Sequence, residues 1–113
     1  MGFEDAGIEF DVNKGVKVNK NLQTTNKLVF AAGDCCSSKQ FTHNSDVQAR
    51  TVLYNALLFS SIDATKIQLP WCTYTDPEIA TVGSTEQELK AAKTKYTTYF
   101  KDYAKLDRAI CDS

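Results

Sequence analysis

With 113 residues, 42% of them hydrophobic and 11% aromatic, the chain is long enough for one domain with a modest core and too apolar for a disordered segment. Its 13 Lys and Arg against 14 Asp and Glu, with no basic run, argue against a nucleic-acid groove or an anionic membrane surface. Apolar runs such as Ala56-Leu57-Leu58-Phe59 are too short to span a bilayer, and Met1-Gly2-Phe3-Glu4-Asp5 lacks the basic start and apolar stretch of a signal peptide. The expectation is a protein of a reducing compartment, the cytoplasm or an organellar matrix or stroma, with no nucleic-acid or membrane partner.

Along the chain, Asp11-Val12-Asn13-Lys14-Gly15 has the composition of a tight turn, and Val16-Lys17-Val18 alternates as a short strand would. Asn19 to Lys27 is polar and expected on the surface. Leu28-Val29-Phe30-Ala31-Ala32 is a continuous apolar run stopped by Gly33-Asp34, the pattern of a strand buried on both faces. Ala49, Val52, Leu53, Ala56 and Leu57 then recur every three or four residues, predicting a helix that buries this face and exposes Arg50, Thr51 and Asn55. Ser45 with Gln48 fits a capping box at its start, with Thr42 and Asn44 as competing caps. A buried strand leading through a Gly-Asp turn into an amphipathic helix is an α/β signature.

Ile62 to Pro70 is linker-like. Trp71-Cys72-Thr73-Tyr74-Thr75 and Ile79-Ala80-Thr81-Val82-Gly83 are strand-like and flank an Asp76-Pro77-Glu78 turn. Ser84 is placed to cap a second helix, with Glu86 and Glu88 in its first turn and Lys90, Lys93 and Lys95 toward its end. Tyr96 to Tyr103 and Leu106 to Cys111 are strand expectations. Cys35, Cys36, Cys72 and Cys111 lack the spacing of a disulfide framework or a zinc knuckle, so free thiols are expected. With His43, a Cys/His zinc site is arithmetically possible but has no spaced ligand pairs.

Three stretches in order carry a resemblance. Leu22-Gln23-Thr24 through Ala31-Ala32-Gly33-Asp34 resembles the second FAD-contacting motif of the pyridine nucleotide–disulfide oxidoreductases. Gln40-Phe41-Thr42-His43 continues it into the helix. Pro70 to Gly83, with its Thr-Tyr-Thr-Asp-Pro-Glu core, is similar to the first strand pair of that family's dimerisation domain, and Asp107-Arg108-Ala109 to a later loop. Within the family, Gly-Asp-Cys-Cys and Thr-Tyr-Thr-Asp-Pro-Glu look closest to mercuric-reductase-like and dihydrolipoyl-dehydrogenase-like members.

The resemblance implies an internal fragment of a homodimeric, FAD-dependent enzyme that uses NAD(P)H and a disulfide or metal-ion substrate. Its implied organisation is the end of an FAD domain, sheet and helix, over residues 1–65, followed by a truncated α+β dimerisation domain over 66–113. It also implies flavin contacts at Gly33 and Asp34, the carboxylate accepting from the ribityl chain, and at Phe41, Thr42 and His43 through the backbone at the helix start. There is no G-x-G-x-x-G, no Cys-x4-Cys dithiol and no late His-Glu pair in the 113 residues, so the chain alone is expected to be inactive. Two other readings compete: a stand-alone interaction module, and a small metal-binding protein built on the Cys35-Cys36 pair.

Overall fold

The computed structural model describes residues 2–58 and 60–111, of Arg108 the backbone alone; Phe59, the end of the apolar run that begins at Ala56, lies outside them. Contacts divide the chain into two compact units, Met1–Gly83 and Ser84–Ser113, and each is described by itself. Helix and strand are mixed, as the α/β expectation requires.

The first unit opens with a hairpin of β1 (Phe10–Asp11) and β2 (Gly15–Val16), paired antiparallel with Phe10 opposite Val16 and Asp11 opposite Gly15. The turn forms as its composition demands. The Asp11 carboxylate accepts the N–H groups of Asn13 and Lys14 at 2.8 and 3.0 Å, and Gly15 closes the turn at φ 81°. The same glycine permits a close approach, because a Cβ there would collide with the Cys35 carbonyl.

The segment expected on the surface supplies part of the core. Leu22 and Thr24 are buried, and Asn19 organises the bend by accepting from the N–H groups of Asn21 and Gln23. Conversely, the apolar run 28–32 does not enter a sheet. It folds back as a single antiparallel bridge, Gln23 opposite Phe30, flanked by Thr24 N–H to Val29 O and Ala31 N–H to Leu22 O, and Leu28 is 92% exposed. A strand buried on both faces needs a neighbour on each side. Among the described residues none pairs with it in parallel, so its hydrogen bonds turn inward on the preceding loop.

Helix α1 (Thr42–Leu57) forms where the periodicity places it but is rotated. Asn44 and Thr51 are buried and Asn55 is half-buried, while Leu53, Leu57 and Leu58 are exposed. Hydrogen bonding explains the reversal. Asn44 Nδ2 donates to Ser37 Oγ and Lys39 O, and Gln48 Oε1 accepts from Gly33 N–H. Asn55 Nδ2 donates to Asn21 O and Ile62 O, and Asn55 Oδ1 accepts from Ile62 N–H. Polar residues at 44, 48, 51 and 55 form one stripe, which satisfies the backbone of the surrounding loops. Ser45 and Gln48 are both inside the helix, so the expected capping box is absent; Phe41 is the cap residue and its side chain caps nothing.

After α1 the linker makes a short 3₁₀ turn over Ala64–Lys66, capped by the Asp63 carboxylate on Thr65 N–H, and joins the core through Ala64 N–H to Lys20 O at 2.8 Å. Leu69 is buried beyond it. The expected strand pair follows as β3 (Trp71–Thr73) and β4 (Ile79–Thr81), antiparallel with Trp71 opposite Thr81. Its turn contains a cis Asp76–Pro77 bond.

In the second unit, α2 (Glu86–Ala91) starts on Thr85 rather than Ser84. Thr85 Oγ1 accepts from Glu88 N–H, and Thr85 N–H donates to the Glu88 carboxylate, a complete capping box. The helix stops at a Schellman motif, with Lys93 N–H to Lys90 O, Thr94 N–H to Leu89 O, and Lys93 at φ 53° where glycine is usual. The strand expected over 96–103 is absent. The strand expected from Leu106, and the loop expected at Asp107-Arg108-Ala109, are replaced by the one-turn helix α3 (Asp107–Cys111) after a 3₁₀ turn at Tyr103–Lys105. Tyr99 and Phe100 are about nine-tenths exposed, and Tyr74 is exposed as well. No helix among the described residues is long and apolar enough to cross a membrane.

Candidate functional site

The site is built on the turn before α1. Ala32 is extended, and Gly33–Cys35 forms one 3₁₀ turn. Gly33 is buried at φ 78°, and its N–H donates to Gln48 Oε1 at 2.7 Å. A Cβ at this position would lie 2.8 Å from Ser45 Oγ and 3.1 Å from Ser45 Cβ. Both the left-handed backbone and the helix packed against it therefore require glycine.

Asp34 is exposed beside this anchored glycine. It lines an open hollow of about 810 Å³ together with Lys14, Gly15, Cys35, Cys36 and Gln40. Its carboxylate has no hydrogen-bonding partner among the described residues. The two thiols beside it differ. Cys35 is exposed, its Sγ donating to Ala32 O at 3.3 Å. Cys36 is half-buried, and burial first, then the charge and hydrogen bond of Cys35, push its thiol up to about 11. A thiol held protonated is a poor nucleophile and a poor metal ligand at neutral pH. Among the described residues no group of three His, Cys, Asp or Glu is placed to hold a metal ion.

At the start of α1 the backbone N–H groups of Thr42, His43 and Asn44 have no acceptor among the described residues, and no acidic residue stands in the first turn. Such an end is suited to an anionic or electron-rich edge. The side chains there turn elsewhere. Phe41 stacks on Trp71 of β3 (centroids 6.1 Å apart, planes at 18°) and on His43 (5.5 Å, 29°), while His43 Nε2 bonds Pro70 O. Phe41 and His43 are thus tied to the β3 end, and Gly33, the residue before Asp34, is tied to α1 through Ser45 and Gln48. The hollow that Asp34 lines takes in Gln40 but not Phe41, Thr42 or His43. Gln48 is the residue that sequence reasoning missed in this role; its polar signal was visible but read as a cap.

Residues 1–49 match the family described as pyridine nucleotide-disulphide oxidoreductase, and residues 69–113 match the dimerisation domain of the same family. The chain belongs to this family of oxidoreductases. It is 36% identical over 90 residues to a mercuric reductase of Staphylococcus aureus, covering 80% of this chain and 16% of that protein. With the soluble pyridine nucleotide transhydrogenase of Photorhabdus laumondii it shares 33% identity over 110 residues, 96% of this chain and 23% of the relative. Its fold is similar to the HOCl-induced flavoprotein disulfide reductase RclA from Escherichia coli, with a TM-score of 0.77 and 25% identity over 99% of this chain and 26% of that one. The chain therefore spans about a quarter or less of the length of the relatives it matches.

Proposed function

We propose that this chain works within a longer FAD-dependent, NAD(P)H-using oxidoreductase of the disulfide-reductase type, where it supplies flavin contacts and the first strands of a homodimer interface. Residues 1–65 form the end of the FAD domain and 66–113 the start of the dimerisation domain, a division supported by the two matched stretches, 1–49 and 69–113. Mercuric reductase and pyridine nucleotide transhydrogenase among the relatives support a small-molecule or metal-ion substrate. Four free cysteines suit a reducing compartment such as the cytoplasm or an organellar matrix or stroma.

The observation that carries the reading is the exposed Asp34 carboxylate, without a partner among the described residues, on a glycine turn packed against a helix whose first N–H groups have no acceptor among them either. This donor and acceptor set fits FAD. Asp34 would accept from ribityl hydroxyls, Gly33 lets the backbone approach, and the N–H groups at Thr42 and His43, next to Phe41, would face an electron-rich ring edge. Bound FAD supplies electron relay between reduced nicotinamide and the acceptor. The protein's part here is to bind and orient it.

Titration of FAD into apo-protein, using the full-length protein that contains this chain, tests the reading. Hydrogen bonds to a charged group contribute about 1.5–3 kcal/mol, so Asp34→Ala is expected to weaken FAD about ten- to a hundredfold. Asp34→Asn, which keeps one acceptor oxygen, loses less. An unchanged dissociation constant in Asp34→Ala, with circular dichroism intact, would leave Asp34 as a turn residue only.

A further inference from the structure

We infer that Gln48 is a positioning residue for Asp34, fixing the direction from which the carboxylate meets a polyhydroxyl ligand; the inference rests on the flavin reading of Asp34. The starting point is the conformational freedom of glycine. Gly33 adopts φ 78° at little cost, but it adopts many other conformations as cheaply, so its own backbone does not hold Asp34 in place. Something outside the turn must do so.

Two residues of α1 meet that need. Ser45 fills the space where a side chain at Gly33 would lie, and Gln48, one turn further along the same face, accepts the buried Gly33 N–H at 2.7 Å. The bond joins residues 15 apart in sequence. The thiol of Cys36, on the far side of Asp34, also points at Gln48 Oε1, at 3.9 Å. One amide oxygen thus gathers the residues on both sides of Asp34 onto the helix. The carboxylate and the N–H groups at the helix start, which have no acceptor among the described residues, are the two halves of the candidate site, and it holds them in register.

A double-mutant cycle on FAD binding in the full-length protein tests this, with melting temperature as a parallel reading. Gln48→Leu removes the acceptor while keeping bulk. It is expected to raise the FAD dissociation constant about fivefold to tenfold, the scale of one hydrogen bond, and to change it by less than about twofold in the Asp34→Ala background. Equal losses in both backgrounds, or a lowered melting temperature with unchanged affinity, would overturn the positioning role. Gln48→Glu retains an acceptor for the Gly33 N–H and is expected to stay within about threefold of wild type. A loss as large as that of Asp34→Ala overturns the role, and this variant carries the test should Gln48→Leu not fold. If Asp34→Ala binds FAD normally, the flavin reading falls; if it weakens FAD while Gln48→Leu does not, only the positioning role falls.

Discussion

Between Met1 and Gly83, side-chain hydrogen bonds join Asn55 to Asn21, 34 residues apart, and Asn21 to Ile62, 41 apart. From Ser84 onward the side-chain bonds seen among the described residues are local: Thr85 with Glu88, Asp102 with Ala104, Tyr96 with Glu86. Burial divides the same way. Leu22, Thr24, Asn44, Thr51 and Leu69 are buried in the first unit, whereas in the second only Leu89, Leu106 and Ala109 are even half-buried among the described residues. The contrast shows which structure a segment makes from its own atoms. A capping box and a Schellman motif are complete within ten residues, so α2 forms. A strand leaves its donors and acceptors to a neighbour, so the expected strands from Tyr96 onward do not.

The sharpest way to break the contrast is to cut the long-range polar stitching. Asn55→Ala removes three hydrogen bonds and leaves Ile62 N–H, Ile62 O and Asn21 O without it. We expect a loss of about 2–3 kcal/mol, with hydrogen exchange quickening around Asn21 and Ile62 and not in α2. Uniform quickening across both units would refute the division. Thr85→Ala is the counterpart: it should cost α2 about 1 kcal/mol and leave the amides of 42–57 protected as before. A change in α1 protection would show the second unit's helix is not self-contained.

The smallest effect is electrostatic. The Tyr96 hydroxyl first, and then Lys90, hold the Glu86 carboxyl below its ordinary 4.5. The folded form therefore favours the carboxylate. Its contribution is present above pH 4.5 and is lost as the pH falls through the lowered value. A carbon-detected NMR titration of Glu86 should give a midpoint below 4.5, and Tyr96→Phe should move it upward. A midpoint at or above 4.5 in the unmodified chain contradicts the bond.

Elements that rest on local chemistry were legible in the sequence. The Asp11–Gly15 turn, the span of α1, the β3–β4 pair and the acidic start of α2 all follow from neighbours a few residues apart. What was not legible depends on remote partners. Periodicity located α1 correctly but oriented it wrongly, because it counts apolar residues and cannot see that Gln48 and Asn55 have backbone groups waiting opposite them. The run 28–32 was misread for the same reason: its composition fits a buried strand, but its bonds close on Leu22 and Thr24. At the candidate site, Gly33 and Asp34 were singled out because the stretch that ends in them resembles a flavin-contacting motif. The link that seats them on α1 lies 15 residues away and leaves no local signature.

The bond between His43 and Pro70 has a consequence for the proton inventory of the helix start. A carbonyl oxygen can only accept, so the imidazole must keep its proton on Nε2 for the bond to exist. The neutral ring is thereby fixed as one tautomer, and its lone pair is left on Nδ1 alone. With Nε2 fastening the helix to the strand that follows, Nδ1 is the ring nitrogen placed to accept a hydrogen bond.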